Sequence, residues 1–297
     1  AVTGVSGSGK TTLILESLIP GLSAALEGKP LPPHVRGVTA EGIRQIKLID
    51  AAPIGINVRS TVATYANVHD ELRKTYAKLP LARERKTTAG AFSYNTGNLR
   101  CPTCDGTGVV SLDVQFLPDV DIPCPDCRGS RYRKEAYEIK RENASGEVYA
   151  LPDLMAMDVK HAKEACQDLK TVRQRLQVLQ SLGLGYLTLG EATPSLSGGE
   201  AQRLKLASEM GRGQEDTVFV FDEPTIGLHP LDVRTLLGVF QALLDSGATV
   251  VVIEHDLDVI HLVDMGPGGG ESGGEIVAAG TPAQVKQNPR SITGRDL

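Results

Sequence analysis

The stretch Gly4-Val5-Ser6-Gly7-Ser8-Gly9-Lys10-Thr11 decides how the whole chain is read. It satisfies G-x-x-x-x-G-K-[S/T] at every fixed position, the pattern of a loop whose successive backbone N–H groups converge on phosphate oxygens. The end of an apolar strand precedes it, and Leu13, Ile14, Leu18 and Ile19 follow at helical spacing. A helix starting here adds its positive N-terminal end to those amides. Gly4, Ser6, Gly7, Ser8, Gly9 and Thr12 are the expected cradle. Lys10 is the cation that reaches the outer phosphates, and Thr11 offers a hydroxyl to Mg²⁺. A glycine turn arising by chance is the competing reading, and the strand–loop–helix context argues against it.

Working outward, Val218-Phe219-Val220-Phe221-Asp222-Glu223-Pro224 reads as a buried strand ending in two carboxylates. Asp222 is expected in the magnesium shell and Glu223 as the group that orients an attacking water, because phosphoryl transfer depends mostly on positioning and charge. Alone, such an ending merely marks the exposed end of a strand; beside the phosphate loop it gains meaning. His255 closes the next apolar strand, at the carboxyl edge where doubly wound sheets bind ligands, and is expected near the terminal phosphate unless it is a solvated or structural histidine. Val233, Leu236, Leu237, Phe240, Leu243 and Leu244 form a helical pattern between these strands, ended by Gly247. Strand, helix and strand in succession predict a right-handed parallel crossover and an α/β core. Ser197, Gly198 and Gly199 lie just ahead of a further helical run through Leu204, Leu206, Ala207 and Met210, a second place for an anion.

Four of the five cysteines form Cys101-Pro102-Thr103-Cys104 and, after nineteen residues, Cys124-Pro125-Asp126-Cys127. Two C-x-x-C knuckles at this separation fit a tetrahedral four-thiolate Zn²⁺ site. Disulfides or redox pairs are the alternative; an odd fifth cysteine and the length disfavour a secreted disulfide scaffold. Cys166 falls in an apolar register with Ala162, Leu169, Val172 and Leu176, as a core residue would. The segment Val109–Phe116 alternates in character and predicts a hairpin arm between the knuckles.

At 297 residues and 41% hydrophobic content the chain can bury a sizeable core of about two domains. A net charge of −5 excludes a uniformly basic nucleic-acid coat but not local patches. No apolar run approaches a membrane span, and no basic leader opens the sequence, so a cytoplasmic location is expected. Of the thirty-two glycines, eleven fall in three groups: the phosphate loop, Gly198-Gly199, and Gly266–Gly274, the last without an evident partner. The expected fold class is α/β, a P-loop ATPase core carrying an inserted helical region and a zinc-binding module. The expected division is 1–85, first part of the core and linker; 86–142, zinc module; 143–212, helical region; and 213–297, second part of the core. Strands are expected at Gln45–Ile49, Val218–Phe221 and Thr249–Ile253, and helices at Asp70–Ala77 and, unbroken, Val159–Leu182.

Leu196-Ser197-Gly198-Gly199-Glu200 resembles the signature of the ABC superfamily, with Glu200 where Gln is usual. Together with Cys-x-x-Cys-x-Gly-x-Gly through Gly108 and Cys-x-x-Cys-x-Gly-x-Arg through Arg131, it resembles the UvrA family of ABC ATPases, in its C-terminal half. Pro53-Ile54-Gly55, Arg59-Ser60, Ala63-Thr64-Tyr65, Phe92-Ser93, Phe116–Asp119, Asp222–Thr225, Gly227–His229 and Ile253–Asp258 carry the same resemblance. It implies ATP, Mg²⁺ and Zn²⁺ as cofactors, and nucleotide excision repair as the setting. It also implies damaged duplex DNA and a UvrB-like repair protein as partners, and no membrane. Ser197–Gly199 would close over ATP held by another ATPase half or a homodimer partner. Resistance to DNA-binding drugs, or powering a transporter, is the alternative.

Three departures stand out. Ala51 follows Asp50 where the family commonly has Gln; the chain is a few residues short between Ile260 and Asp264, where the family has a strand; and it opens at the phosphate loop, as a fragment would. Arg100, Arg128, Arg131, Arg133 and Lys134 surround the knuckles and are the expected DNA contacts through backbone phosphates. Four thiolates on Zn²⁺ carry a formal charge that the same cations could instead neutralise. A second basic run, from Arg73 to Lys86, reads equally as a solvated helix face.

Overall fold

The computed structural model describes residues 1–112, 120–210, 214–225, 230–254 and 262–296. Ten strands are formed among them: β1 Val2–Gly4, β2 Gln45–Ile49, β3 Val109–Leu112, β4 Val120–Pro123, β5 Lys140–Glu142, β6 Val148–Ala150, β7 Thr217–Asp222, β8 Thr249–Ile253, β9 Leu262–Gly266 and β10 Glu275–Gly280. The chain forms two compact units, 1–51 with 211–297, and 52–210. The cysteine-bearing segment and the helical segment that follows it therefore share one body.

The first unit is built on a six-stranded sheet in the order β10-β9-β1-β8-β7-β2. All neighbours are parallel except β10, which pairs antiparallel with β9. Strand β7 explains why its sequence is an unbroken apolar run. Val218 and Val220 face a core shared with Val2, Ile14, Ile253 and Met265, and Phe219 and Phe221 are buried as well. Phe221 packs on Phe240 of the helix Pro230–Asp245, with ring centroids 4.6 Å apart. Both faces of a parallel strand are covered, so alternation disappears. Strand β9 forms even though the sequence is short just before it, and it pairs with β1 at Val2–Val263, Thr3–Asp264 and Gly4–Met265. After the phosphate loop the helix is first π-helical, Thr12–Leu18, and then α-helical, Ile19–Glu27. No helix of the described residues is long and apolar enough to cross a membrane.

The second unit has two antiparallel hairpins, β3–β4 and β5–β6, among short helices. The predicted arm between the knuckles is present as β3–β4, paired from Val109–Pro123 to Leu112–Val120; its tip lies outside the described residues. Tyr76, Tyr94, Tyr132, Phe92, Leu151, Leu154, Leu176 and Leu179 form the fully buried interior. Burial does not orphan the tyrosine hydroxyls. Tyr76 donates to Tyr149 O at 2.7 Å, Tyr132 donates to Phe92 O at 2.8 Å, and Tyr94 shares a 2.7 Å hydrogen bond with Thr61.

The helix expected over Val159–Leu182 is two helices, Val159–Ala165 and Lys170–Ser181. The break has a specific cause. The buried Arg141 donates to Ala165 O at 2.9 Å and to Asp168 Oδ2 at 2.6 Å, satisfying a carbonyl left open at the end of the first helix. Cys166 is buried at this joint, as its apolar register predicted. Arg141→Met leaves that carbonyl with only the 3.5 Å hydrogen bond from Asn143 and takes the guanidinium from the Asp168 carboxylate. The variant should lose about 2–3 kcal/mol of stability in chemical denaturation, less than a fully buried pair because Asp168 is partly solvated.

Candidate functional site

In the first unit, parallel strands bring several chemistry-bearing residues to one edge of the sheet. The phosphate loop follows β1, Asp50 follows β2, Asp222 and Glu223 end β7, and Glu254 follows β8. Gly4, Gly7 and Gly9 hold φ of 132°, 75° and 94°, conformations that side-chain-bearing residues resist. At Gly4 there is also no room, since an added Cβ would stand 2.2 Å from Met265 O.

Lys10 is buried and donates to Gly4 O at 2.8 Å and Val5 O at 3.1 Å. Burial lowers its pKa, while the charges of Glu223 and Asp264 act in the opposite direction. Thr11 and Thr12 are exposed at the start of the helix. Burial raises the pKa of Asp222, and the neighbouring charges of Glu223, Asp50 and Glu254 raise it further. Such crowding of carboxylates opposes ionisation unless a cation joins them. The donor set of Thr11 and Asp222 therefore fits Mg²⁺, a hard ion that takes oxygen ligands. Glu223 adopts φ of 46° and its N–H donates to Ile253 O at 2.9 Å, fixing the turn that ends β7. Sequence reading missed Glu254, which is buried and accepts hydrogen bonds from the Thr225 N–H at 2.8 Å and from the Thr225 hydroxyl. Its place at the end of an apolar strand was the available signal. His255 lies outside the described residues.

The third glycine group acquires a neighbour here. Gly270 N–H donates to Gly7 O at 3.1 Å and Gly274 N–H to Ser8 O at 2.9 Å, so Gly266–Gly274 lies directly against the phosphate loop.

In the second unit, Ser197 caps the helix Gly198–Glu209 in a capping box with Glu200. Ser197 N–H donates to Glu200 Oε2 at 2.7 Å, and Glu200 N–H donates to Ser197 Oγ at 3.4 Å. Tyr186, not singled out by sequence, donates its hydroxyl to Glu200 Oε1 at 2.6 Å. Burial pushes the Glu200 carboxyl up, but hydrogen bonds from Tyr186 and Ser197 outweigh it and hold the group below its ordinary value. Glu200 thus replaces the usual Gln as a fixed anionic strut, and leaves the amides of Gly198 and Gly199 at the helix start.

The four cysteines converge as expected. Their Sγ atoms lie within 4.8 Å of one another, with Cys101–Cys124 at 3.9 Å and Cys104–Cys127 at 3.6 Å. A tetrahedral zinc–thiolate centre with bonds of about 2.3 Å requires sulfurs about 3.8 Å apart, whereas a disulfide requires about 2.05 Å. The geometry therefore fits a metal ion and not disulfides. The two knuckles are built alike. Asp105 and Gly106 turn with φ of 49° and 78°, Arg128 and Gly129 with 50° and 88°. Each knuckle also reaches across to the other: Cys101 N–H donates to Arg131 O at 2.8 Å, and Cys124 N–H to Gly108 O at 2.9 Å.

That symmetry shows how one of the expected DNA contacts is held. Arg131 stands where the first knuckle has Gly108, with φ of 72° against 83°. Its side chain is buried, donating to Val58 O at 2.9 Å and to Gly106 O and Gly190 O at 3.4 Å, with the guanidinium over the Tyr94 ring. It is an internal strut whose small remaining surface lines the cleft beside Arg128. Arg100 pairs with Asp105 at 2.8 Å and Arg133 with Glu135 at 3.6 Å, while Arg128 and Lys134 are exposed. A cleft of 1270 Å³ is lined by Arg128, Arg131, Arg133 and Lys134 together with Pro125 and Tyr137. In the other basic run Arg73, Lys74 and Arg85 are paired with Asp70, Glu71 and Glu138, which favours the solvated-face reading.

The fold and these sites define a class: an ABC-type P-loop core with a helical signature region and an inserted four-cysteine module. Within that class the chain is similar to a segment of UvrA proteins. It is 45% identical to UvrABC system protein A of Clostridium acetobutylicum over 100% of its own length and 32% of that protein's. The protein of the same name from Thermus thermophilus is also 45% identical, over 96% of this chain and 30% of the relative, and the Bacillus subtilis protein is 42% identical over 100% and 31%. The crystal structure of UvrA2 from Deinococcus radiodurans superposes with a TM-score of 0.87 at 42% identity, covering 99% of this chain and 36% of that one. The chain thus spans about a third of the length of the curated relatives it matches. No family model matches it.

Arg131 and Arg128 should separate cleanly in denaturation. Arg131→Ala leaves three carbonyls without a donor and should cost about 2–4 kcal/mol, whereas Arg128→Ala should stay within about 0.5 kcal/mol of the parent.

Proposed function

We propose that this chain is the ATP-binding segment of a UvrA-like protein that couples ATP hydrolysis to recognition of damaged DNA in nucleotide excision repair. The observation that carries the reading is the meeting, at one sheet edge, of a glycine phosphate loop, a buried lysine and a crowd of carboxylates. Whole-length similarity to UvrA proteins supports the repair setting. It also weighs against a transporter or drug-resistance ATPase, as does a four-cysteine cluster with metal-site spacing.

In this reading the amides of Ser6 to Thr11 take the phosphate oxygens. Lys10 exchanges the Gly4 and Val5 carbonyls for the outer phosphates, trading two neutral acceptors for charged ones, which strengthens each hydrogen bond. Thr11 and Asp222 would hold Mg²⁺, which would supply charge stabilisation to the phosphates. Glu223 orients the attacking water, with His255 near the terminal phosphate. Ala51 offers no polar group where the family's Gln stands, so Glu223 and Glu254 carry more of the water's placement. Ser197, Gly198 and Gly199 cover ATP bound to the phosphate loop of another ATPase half or a second copy of the chain. Cys101, Cys104, Cys124 and Cys127 bind Zn²⁺ and hold the hairpin arm. Arg100, Arg128, Arg133 and Lys134 contact backbone phosphates of the duplex, with a UvrB-like protein as the next partner. ATP and chromosomal DNA place this work in the cytoplasm.

Glu223→Gln should keep Mg·ATP binding while the steady-state hydrolysis rate falls about 100-fold or more. Lys10→Ala should lose binding itself. Elemental analysis should find one zinc per chain, and stripping it with a strong chelator should unfold the arm, because a structural zinc contributes roughly 10–16 kcal/mol. The functional reading is tested by titrating lesion-bearing and undamaged duplexes across salt concentrations. Preference for the lesion that responds to ATP is expected; equal affinity at every salt, unmoved by ATP, would remove damage recognition.

A further inference from the structure

The segment Gly266–Gly274 holds the phosphate loop from behind, and two of its glycines are there for a reason other than backbone conformation. Gly270 and Gly274 have φ of 61° and 86°, and a Cβ added at either would meet nothing within 4 Å. Their glycine identity serves the turn. Gly269 and Gly273 are the opposite case. Their φ values of −98° and −100° are extended backbone that any residue adopts. A Cβ at Gly269 would stand 2.6 Å from Ser6 O, and one at Gly273 would stand 2.8 Å from Gly268 O and 3.0 Å from Ser8 Cα. At Gly269 only the close approach of the phosphate loop excludes a side chain; at Gly273 the segment's own Gly268 O excludes it together with Ser8.

The segment is stiffened by its own hydrogen bonds. Gly268 N–H donates to Ser272 O at 3.0 Å, and Gly273 N–H donates to Gly270 O at 3.0 Å. It is tied to the phosphate loop by the Gly270–Gly7 and Gly274–Ser8 bonds, and Ser8 is fully buried between them and its own loop. A phosphate cradle works only while several amides point at one place. A shift of about 1 Å in such an array can cost on the order of 100-fold in what it does.

We propose that Gly269 and Gly273 are positioning residues for phosphate binding: they form a side-chain-free wall that sets where the Ser6–Gly9 amides point. The inference rests on the ATP reading of the phosphate loop and adds to it a second segment, distant in sequence, that never touches the nucleotide. A side chain at Gly269 must push Ser6 forward, into the space the phosphates take, and one at Gly273 crowds Ser8 from the same side while also pressing on Gly268 O.

The test is equilibrium titration of the chain and its variants with a fluorescent ATP analogue and Mg²⁺, beside thermal unfolding without nucleotide. Gly269→Ala and Gly273→Ala should weaken binding at least tenfold while the unfolding midpoint moves by only a few degrees. Gly270→Asn, which keeps a left-handed φ and fills open space, should bind within twofold of the parent. Gly268→Ala, whose Cβ would face Ser272 instead of the phosphate loop, controls for general damage to the segment. If Gly269→Ala fails to fold, Gly273→Ala carries the test, since its closest phosphate-loop contact is the milder of the two. Parent-like affinity in a folded Gly273→Ala variant would overturn the proposal, as would an equal loss in Gly268→Ala or Gly270→Asn. Absence of binding by the parent chain would instead overturn the ATP reading itself.

Discussion

Parallel pairing of β2, β7, β8, β1 and β9 is the constraint on which the rest of the first unit depends. Parallel strands end on the same side, so every loop that leaves a carboxyl end is delivered to one edge whatever its distance in sequence. Register does the rest. Asp222 lies opposite Ile253 and Val2 lies opposite the same Ile253, which sets the ends of β7 and β8 beside the start of the phosphate loop. The arrangement gathers like charges. The raised pKa of Asp222 and the opposing influences on Lys10 are two aspects of it, carboxylates and an ammonium held together in a partly dry place.

The second unit solves a different problem. Its cysteine module buries little besides the thiols and Val110, too small a cluster to hold two strands and two tight turns by hydrophobic burial. Four thiols at metal-binding spacing replace that missing core. The turns that bring them together require left-handed backbone at six positions, three of them non-glycine, and at one of these Arg131 stands where the first knuckle has Gly108. The strain of that choice is offset by three carbonyl hydrogen bonds and a tyrosine face, which fasten the module to the rest of the unit.

Much of this was legible in the sequence because it is local. The phosphate loop, the strand runs at Gln45–Ile49 and Thr249–Ile253, and the paired knuckles each carry their physical cause within a few residues, and each forms with the bounds expected. What escaped depends on partners remote in sequence. The break at Cys166 is made by Arg141, and the Gly266–Gly274 group has meaning only against Ser6–Ser8. The internal hydrogen bonds of Arg131 were not legible either, although its place in the register of Gly108 was visible in the motif. Tyr186 offered no signal at all, since an exposed tyrosine in a loop is ordinary until its hydroxyl is found on Glu200.

The account's central claim is that phosphates bind between the amides following β1 and that Gly266–Gly274 stands behind those amides as part of the same site. Amide hydrogen exchange, followed by mass spectrometry with and without Mg·ATP, tests this most directly. The account predicts slowed exchange in peptides covering Ser6–Thr12 and, in the same titration, in peptides covering Gly268–Gly274, with Cys101–Arg131 unchanged. Slowing at Ser6–Thr12 with no response from Gly268–Gly274, or nucleotide protection that avoids both segments, would contradict it.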